Sequence, residues 1–144
     1  MIGIIMTGHG SFASGLYSSI CLIAGEKENF ICCDFPESYS AEVLQTDLEA
    51  AVALLQKTCE GIIFFTDLKG GSPFQKSVIV ASAGTNMEVI SGSNLPMVLE
   101  ICFAREQSDD VSQLAKNAIN TGKEQVYRYV KTVNKQRRER MEGI

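Results

Sequence analysis

The chain has 144 residues, 45% of them hydrophobic and 21% charged, with a formal net charge of −4. That length suffices for one domain with a real core and no staples, because roughly 150 residues bury about 68–70% of the surface an unfolded chain exposes. The acidic balance argues against nucleic acid as a partner, since a phosphate backbone calls for a basic face.

Met1 to Thr7 is a near-continuous apolar run, as a strand buried on both faces should be. Ser11 to Ala24 predicts a helix, with Leu16, Ile20 and Ile23 near helical spacing and Gly25 as its stop. Phe30 to Asp34 predicts a second strand, and Pro36 with the polar residues after it a loop. Ser40 suits the cap of a helix reaching Lys57, with Val43, Leu44, Leu48, Val52 and Leu55 on one face. Ile62 to Asp67, rich in β-branched and aromatic residues, predicts a third strand. Ser72 suits an N-cap and Pro73 the first position of the next helix. Met87 to Ser91 predicts a fourth strand, and Pro96 to Arg105 and Asp109 to Thr121 two more helices, the last closed by Gly122. Gln125 to Val133 alternates and predicts a fifth strand.

This order predicts an α/β fold: an open, mainly parallel four-stranded sheet with helices on both faces. The C-terminal segment would add an edge strand. Residues 1–134 form a single domain in this reading, and 135–144 a charged, solvated tail. The five cysteines, Cys21, Cys32, Cys33, Cys59 and Cys102, are odd in number and form no C-x-x-C. They read as packed thiols of a reducing compartment. With one histidine in the chain, a His/Cys metal site is not expected. The N-terminus lacks the basic region of a signal peptide, and no apolar run has transmembrane length, so the expected location is the cytoplasm.

Ligands of such sheets bind beyond the C-terminal strand ends, where strand order switches. The first loop there reads Thr7-Gly8-His9-Gly10-Ser11-Phe12-Ala13-Ser14-Gly15. Its glycines let the backbone turn sharply and leave the imidazole open. The N-terminus of the following helix is expected to favour an anion beside it. A histidine next to an anion site is a candidate phosphoryl acceptor; the plain alternative is a loop histidine without a task. The third loop reads Thr66-Asp67-Leu68-Lys69-Gly70-Gly71-Ser72-Pro73-Phe74. Asp67 can hold one imidazole nitrogen as N–H and leave the other free to attack. Ser72 and the helix start behind it can donate to phosphate oxygens. As structural readings, Asp67 is a turn residue and Ser72 a cap. Lys69 is a candidate to screen an incoming phosphoryl group. For Asn94, in the Ser91 to Met97 loop, a helix cap is the better reading.

Gly8-x-Gly10-x-x-Ala13 with Asp34 after the second strand fits a loose dinucleotide fingerprint, the basis of an alternative oxidoreductase reading. His9 stands where the pyrophosphate would need bare backbone, and about four strands are too few for the two-halved fold. Paired acids of a receiver domain are missing after the first strand, and Gly8 stands where a histidine phosphatase would carry Arg.

Over nearly its whole length the chain resembles the enzyme IIA component of the mannose-type sugar phosphotransferase system (PTS). The resemblance rests on the T-G-H-G-x-F-A-x-G run at Thr7 to Gly15 and the T-D-L-x-G-G-S-P-F run at Thr66 to Phe74. The S-G-S-N-L-P-M stretch is similar too. It implies a homodimer, often sharing a C-terminal strand between subunits. It also implies that His9 accepts a phosphoryl group from the carrier HPr and passes it to a IIB component, with the membrane IIC and IID components reached indirectly. Asp67 is then the partner of His9, Gly10, Ser11, Gly71 and Ser72 surround the phosphate, and no metal or other cofactor takes part. Gln75 stands where the family often has Asn, and Lys69 where an apolar residue is common. The hexosamine branch is the nearest in flavour, although a IIA domain does not contact the sugar. The competing readings are a regulatory or binding module in which His9 phosphorylation only signals, and the dinucleotide oxidoreductase.

Overall fold

The apolar run near the N-terminus becomes the centre of a sheet. A computed structural model describes residues 1–132. The chain runs β1 (Gly3–His9), α1 (Phe12–Ala24), β2 (Phe30–Phe35), α2 (Ala41–Leu55), β3 (Ile62–Thr66), α3 (Ser72–Ser82), β4 (Met87–Ile90), α4 (Leu95–Ala104) and α5 (Val111–Glu124). The strands are parallel, in the order β2-β1-β3-β4.

β1 is buried from Gly3 through Gly8 because helices cover both faces. Alternation sends Ile4 and Met6 to one side, where they meet Ile20 of α1, Val98 and Ile101 of α4 and Leu114 and Ala118 of α5. Ile5 faces the other side with Leu44, Leu48 and Leu55 of α2 and Val80 of α3. Ser40 caps α2 as its spacing predicts, accepting from the Val43 amide at 3.2 Å. Asn94 does the same for α4 and Asp110 for α5.

Several predicted boundaries move. Met1 and Ile2 precede β1, which runs on to His9. The extended residue capping α3 is Gly71, so Ser72 stands one place inside the helix. Gly122 does not close α5, which continues to Glu124. A Cβ at Gly122 would lie 2.4 Å from Met97 Cε, so that glycine is a contact point of α5 with α4.

No strand forms at residues 125–132, and Val126, Tyr127, Tyr129 and Val130 are exposed. Val133 and the predicted tail, 135–144, lie outside the described residues. The five cysteines are free thiols. Burial, then the carboxylate of Asp34, pushes Cys32 up to about 12; burial, then Asp47, does the same for Cys33. Both therefore stay protonated and inert. Among the described residues, no helix is long and apolar enough to cross a membrane.

Candidate functional site

The strand order switches between β1 and β3, since the chain leaves β1 towards β2 on one side and returns to β3 on the other. Loops leaving neighbouring strands in opposite directions open a crevice at their C-terminal ends. His9 closes β1 at that point, and Asp67 follows β3 directly. The switch brings together two residues 58 positions apart.

Asp67 Oδ2 accepts the backbone N–H of His9 at 2.8 Å and lies 2.7 Å from its ring Nδ1. Oδ1 accepts from the Leu68 amide at 2.8 Å. A carboxylate can only accept, so in the neutral ring Nδ1 carries the proton and Nε2 keeps the lone pair. The His9 side chain is 49% exposed, that of Asp67 only 12%. Burial alone would raise the Asp67 pKa. The N–H bonds from the His9 backbone and ring and from Leu68 outweigh it and hold the carboxyl below its ordinary value. The carboxylate is thus held in its ionised form beside the imidazole.

The fourth loop fastens the base of this pair. The Asp67 carbonyl accepts from Gly92 at 3.0 Å, and that of Thr66 accepts from Ser93 at 3.1 Å. Thr66 Oγ1 donates to the Ile90 carbonyl at 2.8 Å. Asn94 is a structural cap there, taking the Met97 amide on its oxygen and giving its own N–H to the Gly122 carbonyl.

Beyond Nε2 lies the start of α3. A Cβ at Gly71 would fall 2.5 Å from His9 Cε1 and 3.3 Å from Nε2, so only glycine lets the ring rest there. The amides of Ser72 and Phe74, in the first turn, have no intrahelical partner, and Pro73 has no N–H to orphan. The structure thus brings His9, Asp67 and Gly71 together, with Ser72 next in the chain at the first position of α3. Gly10 makes the turn, with φ +59, but its N–H goes to the Phe35 carbonyl at 2.8 Å. Ser11 is exposed at the N-cap of α1 and makes no side-chain cap bond.

The start of α1 differs from the sequence expectation of an open, anion-friendly end. Asp34 occupies it from β2: Oδ1 accepts the Ser14 amide at 2.9 Å, and Oδ2 accepts the Ser14 hydroxyl at 2.6 Å. The same contacts count against a dinucleotide site, because the acid wanted for a ribose is already bonded. The Phe12 ring also packs onto Gly8, within 2.5 Å of where a Cβ would stand. Phe35, unremarkable in the sequence, meets the His9 ring edge-on, with centroids 5.9 Å apart. In the sequence it falls one place beyond the predicted second strand, and β2 in fact runs through it. Lys69 is exposed in the Asp67–Gly71 loop. Among the described residues, no group of three His, Cys, Asp or Glu side chains converges to hold a metal ion.

Residues 3–119 match the family described as PTS system fructose IIA component. The chain belongs to this family. It is 34% identical over 125 residues to the PTS system mannose-specific EIIAB component of Escherichia coli K12, covering 87% of this chain and 38% of that protein. It therefore spans well under half the length of that relative. The PTS system fructose-specific EIIA component of Bacillus subtilis 168 is 31% identical over 106 residues, 74% of this chain and 72% of that one. Among solved structures, phosphotransferase system component EIIA from Streptococcus agalactiae superposes with a TM-score of 0.83 at 32% identity, over 89% of this chain and 97% of that one. Such IIA relatives carry different sugar names, so the likeness shows the family and the fold and selects no sugar.

Proposed function

We propose that the chain is a cytoplasmic phosphoryl carrier of a sugar PTS, with Nε2 of His9 as the accepting atom. One observation carries the reading: Asp67 Oδ2 lies 2.7 Å from Nδ1, which leaves Nε2 beside Gly71, the residue that caps α3. The donor is the phosphohistidine of HPr. A P–N bond forms at His9 Nε2 as the donor's P–N bond breaks, and the departing electron pair stays on the donor's imidazole. Attack makes the ring cationic, so the Asp67 carboxylate stabilises the transition state more than the ground state. The Ser72 and Phe74 amides and the Ser72 hydroxyl receive the phosphoryl oxygens, helped by the positive end of α3. A IIB component then removes the group by the reverse chemistry, and the membrane components IIC and IID are served indirectly. Neither metal nor nucleotide enters the transfer.

The test is incubation with phosphoenolpyruvate, enzyme I and HPr, followed by addition of a IIB component. An acid-labile phosphate should appear on His9, be absent from folded His9→Ala, and be discharged by IIB. Wild-type labelling in that variant would end the proposal. A label that IIB never discharges would instead make His9 a signalling mark.

A further inference from the structure

We propose that Asp34 of β2 is a positioning residue for His9: its carboxylate anchors the first turn of α1 and thereby steadies the loop that presents the acceptor ring. This rests on the carrier reading for its kinetic consequence only. The ring must keep Nδ1 on Asp67 and Nε2 over Gly71, yet it stands between two glycines and is 49% exposed. Asp67 holds the loop from the β3 side alone. On the other side Asp34 is in register with Gly8, and Phe35 with His9.

Successive strand residues point to opposite faces, and both are used. Asp34 reaches the α1 face and takes the backbone and side-chain donors of Ser14. Phe35 packs on the α2 face and sets its ring against the imidazole. Between them, Gly10 and Phe35 exchange backbone bonds of 2.8 and 3.2 Å. Ser11, the residue in place to cap α1, makes no cap bond, so the cap arrives from another strand. The Asp34 charge also complements the positive end of α1. That helix end is then occupied, which leaves α3 to receive the phosphoryl group.

Small misplacements of a reacting group cost large rate factors. Asp34→Ala should fold, as judged by far-UV circular dichroism, and bind phospho-HPr with a KM within about twofold of wild type. Its single-turnover transfer rate should fall by about tenfold. Asp34→Asn, which keeps an accepting oxygen, should recover most of the rate. The double variant Asp34→Ala/Ser14→Ala should be no slower than Asp34→Ala, because the two side chains act as one contact. A merely structural role would leave the ring alone, so the decisive readout is the ¹⁵N spectrum of His9. The Nδ1–H tautomer should lose population in Asp34→Ala and regain it in Asp34→Asn. An unchanged ring spectrum in folded Asp34→Ala overturns the proposal, whatever the rate. If wild-type chain takes no phosphoryl group, the carrier reading fails, and the ring spectra still decide the role of Asp34.

Discussion

Asp67 binds one residue twice, through the backbone and the ring of His9, and this sets both the tautomer and the direction of the lone pair. Asn at this position could still accept through its carbonyl but would bring no charge to the cationic ring. Asp67→Asn should therefore dock phospho-HPr almost normally and accept the phosphoryl group at least about tenfold more slowly, a barrier change of roughly 1.4 kcal/mol. Rapid-quench measurement at saturating donor isolates that step, and a wild-type rate would reduce Asp67 to a turn residue. The lowered pKa has a second consequence. Below the ordinary value of 3.8 the unfolded chain holds more protons at this group than the folded one, so stability rises with pH there. The contribution is complete above the ordinary value and is lost as pH falls through the folded one. In urea unfolding at a series of acid pH values, Asp67→Asn should show a shallower acid loss than wild type. Gly71→Ala tests the opposite side of the ring. The imidazole can swing away from the new methyl group, so unfolding should change little while transfer drops by about tenfold or more. Equal transfer rates would mean that the ring does not work over α3.

Helix ends separate structural from chemical roles. Asn94 caps α4 and donates to Gly122 of α5, at the rim of the crevice but turned into the scaffold. Asn94→Ala should cost about 1–2 kcal/mol in urea unfolding, with the transfer rate of the folded protein kept. A large rate loss without destabilisation would move Asn94 into the site. Much of this level was legible. Among the described residues, four strands, five helices and the Ser40 cap follow from periodicity and capping chemistry, and Asp67 stands out because it ends a predicted strand, where a parallel sheet places its ligands. What stayed hidden depends on neighbours that only the fold supplies. Nothing in the spacing of Asp34 and Ser14 announces a cap delivered across elements. Gly122 has the look of a helix stop, yet it is a gap filled by Met97. Arg105 appears in the sequence only as the end of a predicted helix. It is instead buried, donating to the carbonyls of Ile2, Glu28 and Asn29 and so stitching the start of β1 to the turn before β2.

At the scale of the whole molecule, Val126, Tyr127, Tyr129 and Val130 stand exposed on one short segment. Val126 and Tyr127 are 76% and 81% exposed, and among the described residues β4 is an edge strand of the sheet. Both features invite pairing between chains. We expect a C2 homodimer in which this segment adds an edge strand to the other subunit. A chain ending at residue 124 should sediment as monomer or aggregate, and a truncated chain that stays dimeric would place the interface elsewhere. Within the chain, the switch in strand order brings His9, the Asp67 carboxylate and the start of α3 together, and the proposed transfer depends on which ring nitrogen that geometry frees. The most direct measurement is ¹⁵N–³¹P NMR of the uniformly ¹⁵N-labelled chain after phosphorylation through enzyme I and HPr. The geometry predicts phosphorus coupling at His9 Nε2, with Nδ1 still protonated. Coupling at Nδ1, or phosphate on any residue other than His9, would contradict it.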